Sequence, residues 1–144
     1  MSAAVEYALL PIEQLREHEE VEAENVDRLQ RTLLREGVVR EPVLVARGSW
    51  VILNGHHRYA ALRALGAQRV PVYLIDYESG PIRLHRWSPG PEIRKSDVIA
   101  MAARGDRYPP KTTRHVLDVS IPRRPTALEE LGIPASARAA VRRS

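Results

Sequence analysis

The sequence predicts a small mixed α/β domain. Short apolar runs rich in Val, Ile and Leu alternate with stretches of helical periodicity, and glycines stand where the helical patterns stop. No internal repeat or long linker divides the 144 residues, a length that suits one hydrophobic core. Residues 1–133 are therefore expected to form a single domain, and residues 134–144, rich in Ala, Ser and Arg, a frayed tail.

Residues 5–10 read as a first strand ended by Pro11. Over 22–36, Val26, Leu29 and Leu33 are spaced for one buried helical face, with Gly37 as the stop. Residues 42–46 and 50–53 read as the strands of a hairpin turned by Arg47, Gly48 and Ser49. A helix is expected over 59–65, closed by Gly66, and an alternating strand over 70–75. Five Pro and Gly residues within 78–95 leave room for one short strand near 83–87. Ser96 is placed to cap a helix reaching Arg104, a strand should follow His115 as far as Ile121, and Thr126 with Glu129 has capping-box spacing.

Composition narrows the function classes. The hydrophobic fraction is 44% and the charged fraction 28%, as in ordinary globular domains. No apolar run approaches the ~20 residues of a membrane span, and the N-terminus lacks a signal-peptide layout. The absence of cysteine excludes disulfides, thiolate metal sites and cysteine-based catalysis, so the cytoplasm is the expected location. The net charge of +4 is unevenly placed, with an acidic stretch over 13–27 and a basic last third. That distribution suits nucleic acid or a small phosphorylated ligand.

Three polar clusters are candidates for chemistry. In the first, His18, Glu19 and Glu20 precede a helix; a carboxylate there can serve as a general base, bind a metal or complement the helix dipole. The second is Asn54, Gly55, His56, His57 and Arg58, where a strand gives way to a helix. Unpaired N–H groups and the positive end of the dipole make that junction an anion site, with Arg58 and the two histidines as further donors. It can equally be an Asn54 N-cap followed by a solvated face. The third is Lys111, Thr112, Thr113, Arg114 and His115, stiffened by Pro109 and Pro110, which suits an anion, a zwitterion or a polar strand edge. Adjacent histidines do not make a zinc site, whereas Mg²⁺ carried by a nucleotide and one or two carboxylates needs no such motif.

Taken together, Glu17-His18-Glu19-Glu20, Asn54-Gly55-His56-His57-Arg58-Tyr59 and Pro109-Pro110-Lys111-Thr112-Thr113-Arg114-His115 resemble the ParB/sulfiredoxin superfamily, and within it the free-serine kinases. The kinases carry Pro-His-Glu-Glu, Asp-Gly-His-His-Arg-Tyr and Pro-Pro-Lys-Thr-Thr-Arg-His in the same order. The resemblance implies a ParB/sulfiredoxin-like fold and phosphoryl transfer from ATP or ADP, with Mg²⁺, to free serine or a close analogue. It implies Glu19 as the base, with His18 and Asn54 beside it in the catalytic set. Gly55, His56, His57 and Arg58 would hold the nucleotide phosphates, and Lys111, Thr112, Thr113, Arg114 and His115 the serine and its phosphate. Mg²⁺ would come with the nucleotide, within reach of Glu19 or Asn54. Two departures stand out: Glu17 replaces a proline, and Asn54 an aspartate. The alternatives are a non-catalytic module binding nucleotide or phosphoserine, and a ParB-type nucleotide switch associated with DNA. Against the latter, the chain has Gly-His-His-Arg rather than Gly-Glu-Arg-Arg and ends before a helix-turn-helix domain, so nucleic acid is not the expected partner. A sulfiredoxin would need a cysteine.

Overall fold

The structure, a computed structural model, describes residues 5–137. In chain order the elements are β1 (Val5–Pro11), α1 (Ala23–Glu36), β2 (Val38–Val39), β3 (Val43–Ala46), β4 (Ile52–Asn54), α2 (His56–Ala64), β5 (Arg69–Ile75), β6 (Ile82–Arg86), α3 (Lys95–Ala103), β7 (Thr113–Leu117) and β8 (Thr126–Ala127). A four-stranded sheet runs β1-β5-β3-β4. In it β3 and β5 are parallel and the outer pairs antiparallel, because β4 and α2 together carry the chain from β3 across to β5.

Both faces of that sheet are covered, which is why its central strands read as continuous apolar runs. Val43 and Val45 of β3, with Val70, Val72 and Leu74 of β5, face a core shared with α1 and α2. Their alternate neighbours Leu44, Ala46, Tyr73 and Ile75 face a second core with α3 and the β6–β7 hairpin. The period of two in the strands thus divides one set of apolar residues between two layers.

The helices form for local reasons. In α1, Val26, Leu33 and Leu34 are buried on one face, and Gly37 ends the helix in a left-handed conformation with its N–H on the Leu33 carbonyl. In α3, Arg94 rather than Ser96 stands at the N-cap, because the Asp97 carboxylate reaches back to the Arg94 N–H. The capping box expected at Thr126 and Glu129 is not formed. Thr126 is a strand residue bonded to the Tyr7 hydroxyl, and Glu130 accepts the Ala127 N–H ahead of a short 3₁₀ turn. The strand expected to reach Ile121 is shifted: β7 begins inside the third polar cluster and ends at Leu117, where its partner β6 runs out. The pair β2–β8 carried too few residues to be legible.

Of the tail, residues 138–144 lie outside the described residues. Residues 135–137 are helical, and Ala137 packs against the first core. Among the described residues no helix is long and apolar enough to cross a membrane.

Candidate functional site

The three polar clusters, distant in sequence, meet at a cavity of about 300 Å³. Residues 16–20 run extended rather than entering a helix. Arg16 bridges to Val51, and the backbones of His18 and Glu20 bond Tyr108. This pins Glu19 beside the start of β7. There the Glu19 carboxylate accepts the Thr113 N–H (2.9 Å) and the Thr113 hydroxyl (2.8 Å) on Oε1, and the Lys111 N–H (3.2 Å) on Oε2. Lys111 takes a left-handed φ of 58°, unusual for a residue with a side chain, and in that conformation its N–H reaches the carboxylate. Glu19 is therefore bound to the third cluster and is not a partner of a helix dipole.

The second cluster sits at the helix start, but its cap differs from the expected one. Asn54 is the last residue of β4, opposite Leu44, and Gly55 takes the N-cap position at φ 103°. The positive φ favours glycine, and a Cβ on Gly55 would lie a tight 3.2 Å from Val43. His56, His57 and Arg58 form the first turn of α2, within the helix. The His56 Nε2 accepts the His18 N–H at 3.2 Å, and the His57 Nε2 accepts the Glu22 N–H at 3.1 Å. An accepting Nε2 leaves the ring proton on Nδ1, so each ring has one N–H to offer a ligand.

Arg58 does not line this cavity. Its Nη1 donates to the carbonyls of Glu41 (2.7 Å) and Pro42 (2.8 Å), and the residue faces a second cavity of about 170 Å³. Burial works against its charge, although Glu41 favours it. Asn54 lines both cavities. Thr112 is also turned away from the cavity, its hydroxyl donating to the Pro109 carbonyl at 2.7 Å.

Lys111, Thr113, Arg114 and His115 do line the cavity. Arg114 lies over the Trp87 ring at 4.9 Å, and Lys111 Nζ is 3.7 Å from Glu22 Oε1. His115 Nε2 bonds the Tyr77 hydroxyl at 2.7 Å. Behind the wall, the His18 ring packs edge-on to His56 at 4.6 Å and to His115 at 5.8 Å. Burial lowers all three pKa values, to about 4 for His18, to about 3 for His115 and well below the usual range for His56. For His18 and His115 the backbone carbonyls of Ile52 and Leu53 oppose the shift. The rings are neutral near pH 7. No group of three or more His, Cys, Asp or Glu is placed to hold a metal among the described residues.

Sequence reasoning missed Trp87 and Tyr77. Trp87 owes its place to the β6–β7 hairpin, whose pairing sets it against Thr112, and β7 brings His115 to Tyr77, which follows β5. The available signal was the short strand ending at Trp87, which needed the third cluster as its partner to have meaning.

The profile of the ParB N-terminal domain matches residues 3–81, more than half of the 144 residues. The chain belongs to the ParB N-terminal domain family. This ParB N-terminal domain is 34% identical over 104 residues to an ATP-dependent L-serine kinase of Desulfurococcus mucosus, an alignment covering 69% of the chain and 41% of that protein. It is 28% identical over 99 residues to the ADP-dependent L-serine kinase of Thermococcus kodakarensis, covering 66% and 41%. The chain thus spans about two fifths of these relatives' length. Among solved structures, a variant of a free serine kinase in complex with AMP superposes with a TM-score of 0.81 at 19% identity. That match covers 90% of this chain and 95% of the other, and it establishes the mixed α/β fold expected from the sequence.

Proposed function

We propose that the domain transfers a phosphoryl group from ATP or ADP to the hydroxyl of free serine or a close analogue. The observation that carries this reading is the convergence of a carboxylate, a helix start and a cationic strand on one cavity. Phosphoryl transfer asks mainly for positioning and charge neutralisation, and these groups supply both. The N–H groups at the start of α2, with the Nδ1–H of His57, would hold nucleotide phosphates. Beyond Asn54, the second cavity has apolar walls from Leu44, Tyr73, Leu117 and Ile121, which suit a nucleobase. The serine kinases of Desulfurococcus mucosus and Thermococcus kodakarensis support the choice of serine as acceptor.

In the reaction the acceptor oxygen forms a bond to the terminal phosphorus as the bond to the leaving phosphate breaks, and Glu19 takes the hydroxyl proton. Lys111 and Arg114 offset the charge on the transferring group. The Asn54 carbonyl oxygen on the cavity wall fits a Mg²⁺ ion held mostly by phosphates and water, which would neutralise phosphate charge. With Asn54, this wall has one negative charge fewer than the aspartate of the kinase motif would give it.

A second reading, nucleotide binding without transfer, is favoured by the engagement of Arg58 and Thr112 in backbone contacts. One assay separates the two: Mg²⁺ with either nucleotide and a panel of hydroxy-amino acids, with phosphorylated product followed by mass spectrometry. Product formed with serine supports the kinase. Nucleotide binding by calorimetry with no product from any acceptor supports the second reading.

A further inference from the structure

The fully buried His18 ring places Nε2 3.0 Å from the Thr113 hydroxyl, which is itself 2.8 Å from Glu19 Oε1. A threonine hydroxyl has one proton to give. An ionised carboxylate only accepts and draws the stronger hydrogen bond, so that proton belongs on Glu19. The contact to His18 then closes only if Nε2 carries a proton. The Ile52 carbonyl favours a protonated ring, yet Nδ1 has no hydrogen-bond partner among the described residues. A buried N–H left there would go unpaired, which proteins avoid more strictly than an unpaired acceptor.

We propose that His18 is a positioning residue which, as the neutral Nε2–H tautomer, donates to the Thr113 hydroxyl and thereby aims it at Glu19. This rests on Glu19 being the base. Its consequence is a division of labour between the carboxylate oxygens. Oε1 accepts both Thr113 donors, which fill its two lone pairs. Among the described residues Oε2 accepts only the Lys111 N–H, and it keeps one lone pair for the acceptor proton. His18 touches no reacting atom; it acts through Thr113. His56 limits its freedom further, because its Nε2 holds the His18 N–H and its ring packs edge-on to the His18 ring.

Two measurements test this. Long-range ¹H–¹⁵N correlation on protein labelled in histidine, with His18→Gln used for assignment, reads the tautomer in the native protein. An Nε2–H signature at pH 7 is expected. An Nδ1–H ring or an imidazolium overturns the proposal. The second measurement is steady-state kinetics on variants that keep the native melting temperature. Misplacing a catalytic group by about 1 Å can cost on the order of 10²-fold, so His18→Met should lower kcat by roughly 10- to 100-fold with nucleotide KM within about twofold. His18→Gln, which retains an N–H, should recover most of the loss. In a Thr113→Val background His18→Met should add nothing, since the relay is already broken. Losses that multiply in the double variant, or a glutamine no better than methionine, overturn the proposal. Absence of turnover in the native protein would overturn the kinase reading, and with it the catalytic role of the relay, whereas the tautomer is read independently of any reaction.

Discussion

Glu19 holds its place through three donors from Lys111 and Thr113, and a glutamine there keeps the shape while losing the ability to take a proton. Removing a general base commonly lowers rate by about 10²–10⁴. Glu19→Gln is expected to lose turnover in that range with nucleotide affinity little changed. Rates within a few-fold of native would show that the carboxylate only organises β7. Asn54 poses a charge question, since its side chain caps no helix and lies exposed between the two cavities. Asn54→Asp should leave the melting temperature within a few degrees and lower the Mg²⁺ concentration giving half-maximal activity, because a carboxylate holds that cation better than a neutral carbonyl oxygen. Superimposable Mg²⁺ titrations would remove position 54 from the chemistry.

At the scale of elements, the start of α2 is a joint. Gly55 makes the turn, His57 ties the helix to the N-cap of α1, and Arg58 fastens it to the segment before β3. Arg58 thus braces the start of α2 from behind. Arg58→Met would leave the partly buried Pro42 carbonyl without its donor, at about 1–3 kcal/mol, whereas water can replace the guanidinium at the exposed Glu41 carbonyl. A loss of that size in urea denaturation is expected. Unchanged stability with weakened nucleotide affinity would instead mean that the guanidinium leaves the carbonyls and swings to the ligand.

For the whole molecule, the buried histidines tie stability to pH. His18 and His115 have folded pKa values of about 4 and about 3, below the ~6.5 of an unfolded histidine. The unfolded chain therefore binds protons first as pH falls, so the contribution is whole above about pH 6.5 and lost on acidification toward the folded values. Between pH 7 and 5.5, each ring should cost about 1 kcal/mol of stability by this linkage, and His56 adds in the same direction. Calorimetric melting temperatures should fall over that interval, where carboxylates hardly titrate. A flat profile would mean that the rings are hydrated or already charged.

The sequence alone determined where most helices and strands lie and which residue types could bind phosphate, because periodicity, glycine stops and short motifs are local properties. The helix over 22–36 needed only the spacing of Val26, Leu29 and Leu33, and the proposed anion-binding start of α2 needed only a strand running into a helix through Gly55. Tertiary structure decided which way the polar side chains face. Nothing near Arg58 in the chain announces that the Glu41 and Pro42 carbonyls will claim it. Nothing near Thr113 announces Glu19 and His18, 94 and 95 residues away. Hydrogen-bond partners at that separation are set by the packing of sheet, hairpin and loop, and a pattern read along one chain segment carries no record of it.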